Sequence, residues 1–436
     1  AEDVVFVILS QPNPYHLARA QELKNNIQAQ SKDQFVVHLS HLDFPHAGGW
    51  TIIPLIPQLS RLHGSNSSFI VFLEDGTRVR LGRLLDTLRT RRGKDEVFLG
   101  YALHDREPSI IHHFAFYEDP TSFKYPNLAS GFAISTALLL RLNERLRREN
   151  MPKTDFNIDS VHEFSLFVWN DGAGVALSHD SSFCVADEGE ACATHVRPFE
   201  SCGDVAPRGS IYFAVKTCSK FHEDRVPIVK KTWAKHAAIL RFFSDVEDDT
   251  VPTVTLGVAN TEHGHCEKTF SILRYINREI ENRNSDIRWI FIADDDTILS
   301  VSGLRALLGC YDSGDAVALG ERYGYGMSAP GAGYDYITGG GGIAISRPLL
   351  SRLALNCSCP TASAPDDMYM GLCLKEIGTV ITHSPLFHQA RPMDYAEAYL
   401  RSYSAVSFHK HWMVDPIKVY NSWFAYADTV AAHTEL

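Results

Sequence analysis

Three consecutive carboxylates end an apolar stretch in the second half of the chain. The segment WIFIADDDT (residues 289–297) carries Asp294, Asp295 and Asp296 directly after a strand-like run. Aspartates buried there without partners would be costly, whereas the carboxyl end of a strand is where α/β sheets bind ligands. Their oxygens suit a hard divalent cation such as Mn²⁺ or Mg²⁺. The alternative is a solvated turn in which one aspartate caps the next helix; we favour the metal site.

Further titratable side chains follow in the same half. Pro365-Asp366-Asp367 begins a helix-like stretch, and acidic residues at the start of a helix are stabilising in their own right. One of the two could instead act as a general base that takes a proton from an acceptor hydroxyl, and the spacing does not distinguish Asp366 from Asp367. His388 would add a nitrogen ligand to the carboxylates, and such a mixed site favours Mn²⁺.

A run of glycines precedes the strand-like segment IAIS. A backbone without side chains can approach a ligand closely. The first half of the chain has Ala129-Ser130-Gly131 at the corresponding place, so the fold does not require a full run of glycines. We interpret the run as a loop that contacts the substrate, with a flexible turn as the alternative. Its members are Gly339, Gly340, Gly341 and Gly342.

The sequence indicates that the chain consists of two copies of one domain. VFLEDGT (residues 71–77) resembles FIADDDT (residues 291–297), and four further blocks recur in the same order. Strand-like and helix-like segments alternate in each copy, which predicts two α/β domains. In the first copy Gly76 stands in the place of the third aspartate and Cys184 in the place of His388. We therefore expect the first copy to lack the metal site.

The repeats also predict the domain bounds. A degenerate, non-catalytic domain would span residues 1–185 and a catalytic domain residues 210–436, joined by residues 186–209, a polar linker that contains Cys, Gly and Pro. We expect the first domain to be catalytically silent and to grip a folded acceptor protein. The alternative is that it only stabilises the second domain.

Composition argues against several classes of protein. The chain has 436 residues, of which 45% are hydrophobic and 21% charged, as in globular proteins with a hydrophobic core. A net charge of −11 argues against a nucleic-acid partner or an anionic membrane surface. No apolar run is long enough to cross a membrane. No P-loop motif is present, which argues against a P-loop NTPase.

Three features predict a protein of the secretory pathway. Nine cysteines indicate disulfide bonds and an oxidising compartment, although their spacing does not give the pairing. Asn66 and Asn356 begin N-glycosylation sequons. The last residues, His433-Thr434-Glu435-Leu436, are similar to the K-D-E-L signal that the retrieval receptor reads. We expect a soluble protein retained in the lumen of the endoplasmic reticulum.

The motifs together resemble a known enzyme family. VKTCSKFHEDRVPIVKKTW, WIFIADDDT, YITGGGGIAIS, APDDM and SPLFHQ, in this order, are similar to the Fringe-type family of inverting β-1,3-glycosyltransferases. LGERYGYG, HSPLFHQARPMDY and SFHKHW extend the resemblance to the members that add glucose to O-linked fucose on thrombospondin type 1 repeats. The resemblance implies two tandem glycosyltransferase-A-type, Rossmann-like domains, the first degenerate, with UDP-glucose as the donor and Mn²⁺ as the cofactor.

The resemblance also implies roles for single residues. Asp296 and His388 would hold the metal, and Asp367 would be the catalytic base. The base would deprotonate the fucose 3-hydroxyl, whose oxygen attacks the anomeric carbon of α-linked glucose from the opposite face while Mn²⁺ holds the departing UDP. The donor would be bound by Thr217, Arg225, Asp294 and Asp295.

Two other functions stay open at this stage. A related transferase would use UDP-N-acetylglucosamine or UDP-galactose, because the residues that choose the sugar cannot be identified from spacing. A protein of another class would be an inactive luminal glycan-binding folding sensor. Against the second stands the intact set of acidic and imidazole groups in the second copy.

Overall fold

The structure is a computed structural model that describes residues 4–44, 50–91, 95–149, 154–283, 286–327 and 332–434. Its chain divides into two compact units. The first comprises Ala1–Phe199, Gly324–Tyr334 and Met393–Tyr403, and the second comprises Glu200–Tyr323, Asp335–Pro392 and Ser404–Leu436. These limits differ from the predicted domain bounds, because two short segments of the second half belong to the first unit and residues 186–209 are shared between the units.

Nonlocal hydrogen bonds account for the two short segments. Gly324 and Tyr325 pair in an antiparallel ladder with Asn157 and Phe156. In the other segment, the Tyr403 hydroxyl donates to the Glu74 carboxylate over 2.5 Å. Neither contact can be recognised from the composition of the chain or from its internal repeat. The sequence therefore could not predict that these two segments belong to the first unit.

Strands and helices alternate through the first part of the chain. Within the described part of residues 4–199 the strands are β1 (Val4–Leu9), β2 (Val36–Leu39), β3 (Phe69–Glu74), β4 (Thr77–Val79), β5 (Phe98–Gly100), β6 (Ala102–Leu103), β7 (Tyr125–Pro126), β8 (Phe132–Ser135), β9 (Phe156–Asn157), β10 (Ser178–His179), β11 (Phe183–Cys184) and β12 (Thr194–Val196). The α-helices are α1 (Pro14–Ser31), α2 (Ser40–Asp43), α3 (Ile56–His63), α4 (Leu81–Arg89), α5 (Thr136–Glu149) and α6 (Ser160–Trp169).

The central sheet of the first unit has the order β10-β5-β8-β3-β1-β2. Strand β1 runs parallel to β2 and β3, and β10 runs parallel to β5. Only β8 runs antiparallel to its neighbours, β3 and β5, among these six strands. The runs VVFVIL of β1 and FIVFLE of β3 are apolar almost throughout because helices cover both faces of the sheet.

The same alternation continues in the remaining residues. Within the described part of residues 200–434 the strands are β13 (Ile211–Lys216), β14 (Ile239–Ser244), β15 (Thr253–Thr255), β16 (Trp289–Asp294), β17 (Thr297–Leu299), β18 (Ala318–Gly320), β19 (Arg322–Tyr325), β20 (Tyr334–Ile337), β21 (Ile343–Ser346), β22 (Thr382–His383) and β23 (Ser407–His409). The α-helices are α7 (Val226–Lys231), α8 (Cys266–Arg283), α9 (Val301–Leu308), α10 (Arg347–Asn356), α11 (Asp366–Glu376), α12 (Glu397–Ser402), α13 (Pro416–Trp423) and α14 (Ala425–Thr434).

The central sheet of the second unit has the order β15-β14-β13-β16-β21-β18-β22. Apart from β15, its strands follow the order and the relative directions of the first unit's sheet, with β21 as the antiparallel strand in the place of β8. The α/β prediction is confirmed. A repeated sequence pattern produces two mixed sheets with the same topology when each copy folds around its own hydrophobic core.

Disulfide bonds are present, as the cysteine count predicts. They join Cys184 to Cys192, Cys202 to Cys310, Cys266 to Cys359, and Cys357 to Cys373. Cys218 is a buried free thiol. None of the described helices combines the length and the hydrophobicity that a membrane-spanning segment needs.

The C-terminal helices of the second unit are fastened by one buried carboxylate. Asp428 on α14 is 2% exposed. Its oxygens accept hydrogen bonds from the backbone N–H and the hydroxyl of Ser302 over 2.8 and 2.6 Å, and from the Tyr420 hydroxyl over 2.8 Å. Because these contacts satisfy free N–H groups at the start of α9, they connect the chain end to the body of the unit.

Candidate active site

The three aspartates lie at the carboxyl end of β16. This strand runs parallel to β13, and their last residues, Asp294 and Lys216, lie side by side. The turn that follows is fixed by Thr297, whose Oγ1 accepts from the Asp294 N–H over 3.0 Å and donates to the carbonyl oxygen of Gly340 over 2.9 Å. The carboxylates therefore project from a turn that is bonded to the glycine run.

A short ribbon brings a histidine to this turn. Strands β17 and β23 pair antiparallel, with Thr297 opposite His409. The His409 Nε2 lies 3.0 Å from Asp296 Oδ1 and 3.8 Å from Asp294 Oδ2. Its Nδ1 lies 2.9 Å from the carbonyl oxygen of Gln389, to which it donates. That hydrogen bond directs Nε2 toward the carboxylates, the arrangement seen in metal-binding histidines.

Burial and charge act against each other at this group. Burial raises the pKa of Asp296, but the charge and hydrogen bond of His409 and the charge of Arg225 outweigh it and hold that pKa well below its usual value. Burial lowers the pKa of His409, and Asp296 reverses the direction. Asp296 and His409 therefore stabilise each other's charged forms.

His388, which the resemblance implies as a metal ligand, has apolar and backbone surroundings. It is fully buried, its Nδ1 lies 3.0 Å from the carbonyl oxygen of Ser407, and its ring stacks on Phe408. Burial lowers its pKa to about 4. Among the described residues, the ligand atoms that converge in this unit belong to Asp294, Asp296 and His409, not to His388. The role of His388 as a ligand stays a prediction.

Asp295 contacts Thr217 and Arg225. It accepts hydrogen bonds from Thr217 Oγ1 over 2.8 Å and from Arg225 over 2.9 Å. Arg225 also lies 3.0 Å from Asp296. Burial raises the pKa of Asp295 to about 6 against the effect of these partners. The structure thus brings together three of the residues predicted to bind the donor, Thr217, Arg225 and Asp295; the binding role itself stays a prediction.

A buried lysine that the sequence analysis did not single out joins the remaining carboxylates. Lys216 Nζ lies 2.6 Å from Asp366 and 3.0 Å from Asp294. Asp366 also accepts from Thr269 Oγ1 over 2.6 Å. Burial raises the pKa of Asp366, but Lys216 lowers it to about 2. Asp366 is consequently held in an ion pair.

Asp367 has different surroundings, although it is the next residue in the first turn of α11. Its Oδ2 accepts from the Gly339 N–H over 3.2 Å and its Oδ1 from its neighbour Met368 N–H over 2.8 Å. Burial and the adjacent Asp366 charge raise its pKa to about 6. A carboxylate with a raised pKa and without an ion-pair partner among the described residues suits a general base, so the geometry favours Asp367 where the sequence spacing left the pair open.

The glycine run passes between the base and the metal group. A β-carbon at Gly340 would lie 2.2 Å from the Nδ1 of His409, and one at Gly342 would lie 2.2 Å from the Phe291 ring. The Gly341 N–H donates to the side chain of Gln389 over 3.2 Å. Gly340 and Gly342 therefore have no room for a side chain. Its contact with the substrate stays a prediction.

His411 is a further residue near the carboxylates to which the sequence analysis assigned no role in the site. Both of its ring nitrogens are buried and have no hydrogen-bond partner among the described residues. Burial lowers its pKa to about 4, although Asp296 acts in the opposite direction. A neutral imidazole carries one N–H donor, so His411 offers an unused donor beside the carboxylates. The sequence signal was the spacing of His409 and His411 after a strand-like AVSF run.

The site suits a divalent cation. Each of Asp294, Asp296 and His409 offers one ligand atom, and these atoms lie within 4.8 Å of one another. Two carboxylate oxygens and one imidazole nitrogen form a donor set that Mn²⁺ accepts. A cation held by so few protein ligands keeps positions for phosphate oxygens, so the arrangement can stabilise a diphosphate leaving group beside a separate base.

Comparison with known proteins gives consistent matches. A family model described as Fringe-like matches residues 207–430, which include every site residue described above. The β-1,3-glucosyltransferase of Mus musculus is 48% identical over 430 residues, 97% of this chain and 87% of that protein. Its counterpart in Homo sapiens is 47% identical over 439 residues, 99% of this chain and 87% of that protein. The β-1,3-N-acetylglucosaminyltransferase lunatic fringe of Homo sapiens is 28% identical over 223 residues, 44% of this chain and 56% of that protein.

Proposed function

This chain belongs to the Fringe-like family and is a β-1,3-glucosyltransferase, and we propose that it transfers glucose from UDP-glucose to the 3-hydroxyl of O-linked fucose on thrombospondin type 1 repeats. Glucose is supported by identity to glucosyltransferases over nearly the whole chain. The acceptor is supported by the motifs that resemble the fucose-extending members. The observation that carries the proposal is the contrast between ion-paired Asp366 and unpaired Asp367 beside a carboxylate–imidazole group.

Metal binding is part of the proposal. Asp294, Asp296 and His409 would hold Mn²⁺, or Mg²⁺ with lower preference. When bound, the cation neutralises charge on the departing diphosphate. Arg225 and Lys216 already lie against the same carboxylates, so both are placed to compensate charge as the donor enters.

The protein's own groups then account for the proton and the direction of attack. Asp367 takes the proton from the fucose 3-hydroxyl, and the resulting oxygen forms a bond to the anomeric carbon of glucose. The bond from that carbon to the UDP oxygen breaks on the opposite face, so an α-linked donor gives a β-linked product. The N–H groups of Gly339 and Met368 each bond one Asp367 oxygen, which fixes the orientation of the carboxylate. No covalent intermediate on the enzyme is needed.

The disulfide bonds bear on the location of the protein in the cell. Disulfide bonds persist in oxidising compartments, and we infer that the protein works in the lumen of the endoplasmic reticulum. The proposed contact with the retrieval receptor depends on His433–Leu436, of which Glu435 and Leu436 lie outside the described residues.

A donor and acceptor panel tests the proposal. Purified protein with Mn²⁺ receives UDP-glucose, UDP-N-acetylglucosamine or UDP-galactose, and a folded thrombospondin type 1 repeat with or without O-linked fucose. We expect glucose transfer to the fucosylated repeat alone, with a β-1,3 linkage in the product. Preference for another donor would establish the related transferase instead. Donor binding without transfer or hydrolysis of any donor would favour the glycan-binding sensor.

A further inference from the structure

A cavity in the first unit lies outside the site described above. It has a volume of about 280 Å³, slightly below the usual range of about 300–1,000 Å³ for small-molecule sites. Helix α6 contributes Ser160, Glu163, Leu166 and Phe167 to its wall, residues at spacings that share one helix face. The cavity has room for one ring-sized ligand and not for a longer chain.

The position of α6 relates the cavity to the chemistry of the second unit. Helix α6 follows β8 and α5 and precedes β10, as α11 follows β21 and α10 and precedes β22. The sequence repeat places His162 and Glu163 opposite Asp366 and Asp367. The cavity therefore lies at the helix that corresponds to the one bearing the base, where the second unit would receive its acceptor.

Two residues of the cavity wall carry buried polar atoms without partners among the described residues. Thr51 is 5% exposed, and its hydroxyl is buried without a partner among the described residues. The side-chain oxygen of Asn157 is also buried without a partner, whereas its nitrogen donates to Glu163 over 2.8 Å. Ile52, Ile53 and Phe167 supply apolar surface. Buried polar atoms normally have hydrogen-bond partners. A ring that carries hydroxyl groups supplies both donors and acceptors for such atoms.

The charges of the cavity do not favour a phosphate or a sulfate. Arg145 donates to Glu149 over 2.7 Å and to the Phe167 carbonyl oxygen over 2.5 Å. His113 Nε2 lies 3.8 Å from the Glu163 carboxylate. Both basic side chains thus have acidic or carbonyl partners, and the remaining donors and acceptors are neutral.

A buried hydrogen-bond network holds the wall of the cavity in place without a ligand. His112 lies between two carboxylates, with Nδ1 2.6 Å from Asp105 and Nε2 3.0 Å from Asp159. Asp159 caps α6 by accepting from the Val161 and His162 N–H groups. The network fixes the turn that follows His112, where His113, Phe114 and Phe116 have φ values of 54°, 53° and 55°. Strained non-glycine residues of this kind concentrate at binding and catalytic sites.

We propose that this cavity is a carbohydrate site that binds one neutral pyranose ring of a glycan without transforming it. The apolar wall contacts the C–H face of the ring, and Thr51, Asn157 and Ser160 bond its hydroxyl groups. The catalytic residues of the second unit take no part, so the site does not depend on the donor or the acceptor proposed above.

The test uses saturation-transfer NMR on the full chain without metal or UDP. Methyl α-L-fucopyranoside and methyl β-D-glucopyranoside serve as probes at millimolar concentration. Thr51→Val removes the unpartnered hydroxyl with little change of shape, and Ile53→Trp fills the cavity. Thr255→Val, at an exposed position of β15, is the matched control, and Asp367→Asn silences the proposed base. Melting temperatures check that each variant folds.

We expect ring-proton signals for at least one glycoside with the unmodified chain, Thr255→Val and Asp367→Asn. Thr51→Val should weaken binding about fivefold, as the loss of one neutral hydrogen bond does, and Ile53→Trp should abolish it. Binding that both cavity variants retain in full would overturn the proposal. So would loss of binding in Asp367→Asn, or the absence of signal for both probes with the unmodified chain.

Discussion

Neighbouring aspartates at the start of α11 differ in charge because they face different side chains. Asp366 meets Lys216 and Thr269, whereas Asp367 meets only N–H groups and the charge of its neighbour. One carboxylate thereby stays ionised under all ordinary conditions, and the other can take up a proton near neutrality. This division of roles is the residue-scale basis of the proposed mechanism.

The activity should depend on pH through Asp367. Only the ionised form accepts a proton, and burial with the Asp366 charge raises its pKa to about 6. We expect kcat/KM to be level above that pH and to fall about tenfold per pH unit below it. The measurement is a pH profile of glucose transfer under donor and acceptor concentrations well below KM. A profile that stays level down to pH 4 would contradict the assignment of Asp367.

The two histidines should differ in their effect on metal binding. His409→Gln removes the nitrogen that points at Asp296 and should weaken Mn²⁺ binding at least tenfold, measured by calorimetry. His388→Gln should leave the affinity within about threefold, because its ring lies on Phe408 and the Ser407 carbonyl oxygen. The reverse order of effects would identify His388 as the ligand.

At the scale of elements, the pairing of β17 with β23 decides which histidine reaches the carboxylates. The two strands are separated by more than a hundred residues of chain. A strand as short as β23 contains no sequence pattern that identifies the strand with which it pairs. Local patterns in the sequence therefore indicated Asp294, Asp295 and Asp296 and left Asp366 and Asp367 open, and the family resemblance selected Asp367. Neither indicated His409 as a ligand. Lys216 was overlooked for another reason: it ends the apolar strand IYFAVK, and its partners come from two distant segments.

The glycine run should tolerate no side chain where it passes His409. Gly340→Ala places a β-carbon 2.2 Å from the His409 ring, so the ring must move away from Asp296. We expect Mn²⁺ affinity and glucose transfer to fall at least tenfold.

Gly82→Ala is the control for this variant. It lies in α4, and an added β-carbon there meets nothing within 4 Å. It should leave the transfer rate unchanged and raise stability by up to about 1 kcal/mol, because alanine favours a helix over glycine. Equal effects of both alanine variants on transfer would refute the steric account.

At the scale of the whole molecule, the second unit holds the converging carboxylates, and the first holds a different polar network on the corresponding elements. In the first unit, Asp75, which corresponds to Asp295, lies 2.7 Å from His16 and has Arg19 nearby, and Gly76 supplies no carboxylate where the second unit has Asp296. The repeated sheet was predictable because apolar runs and carboxylate stretches recur in the sequence. The exact unit limits were not, because they depend on pairings such as that of Gly324 with Asn157.

The first unit should lose stability in alkaline solution. Burial lowers the pKa of His112, but the hydrogen bonds that its ring donates to Asp105 and Asp159 raise that pKa to about 9. A pKa raised above that of the unfolded chain stabilises fully below about pH 6.5, and this contribution is lost as the pH rises through 9. We expect a loss of about 3 kcal/mol.

Urea unfolding at pH 6.5 and pH 9.5 measures this loss. Asp159→Asn should reduce the difference between the two conditions, whereas His104→Gln, a change at an exposed position, should keep it. A pH dependence that is the same in both variants would exclude His112 as its source.

The most direct measurement of the central claim is the initial rate of glucose transfer from UDP-glucose to an O-fucosylated thrombospondin repeat by Asp367→Asn. The account predicts a loss of about 10²–10⁴-fold, with donor and Mn²⁺ affinity retained. Asp249→Asn, at an exposed position of the same unit, should keep the full rate. Transfer by Asp367→Asn at the rate of the unmodified protein would contradict the account, because the base would then lie elsewhere.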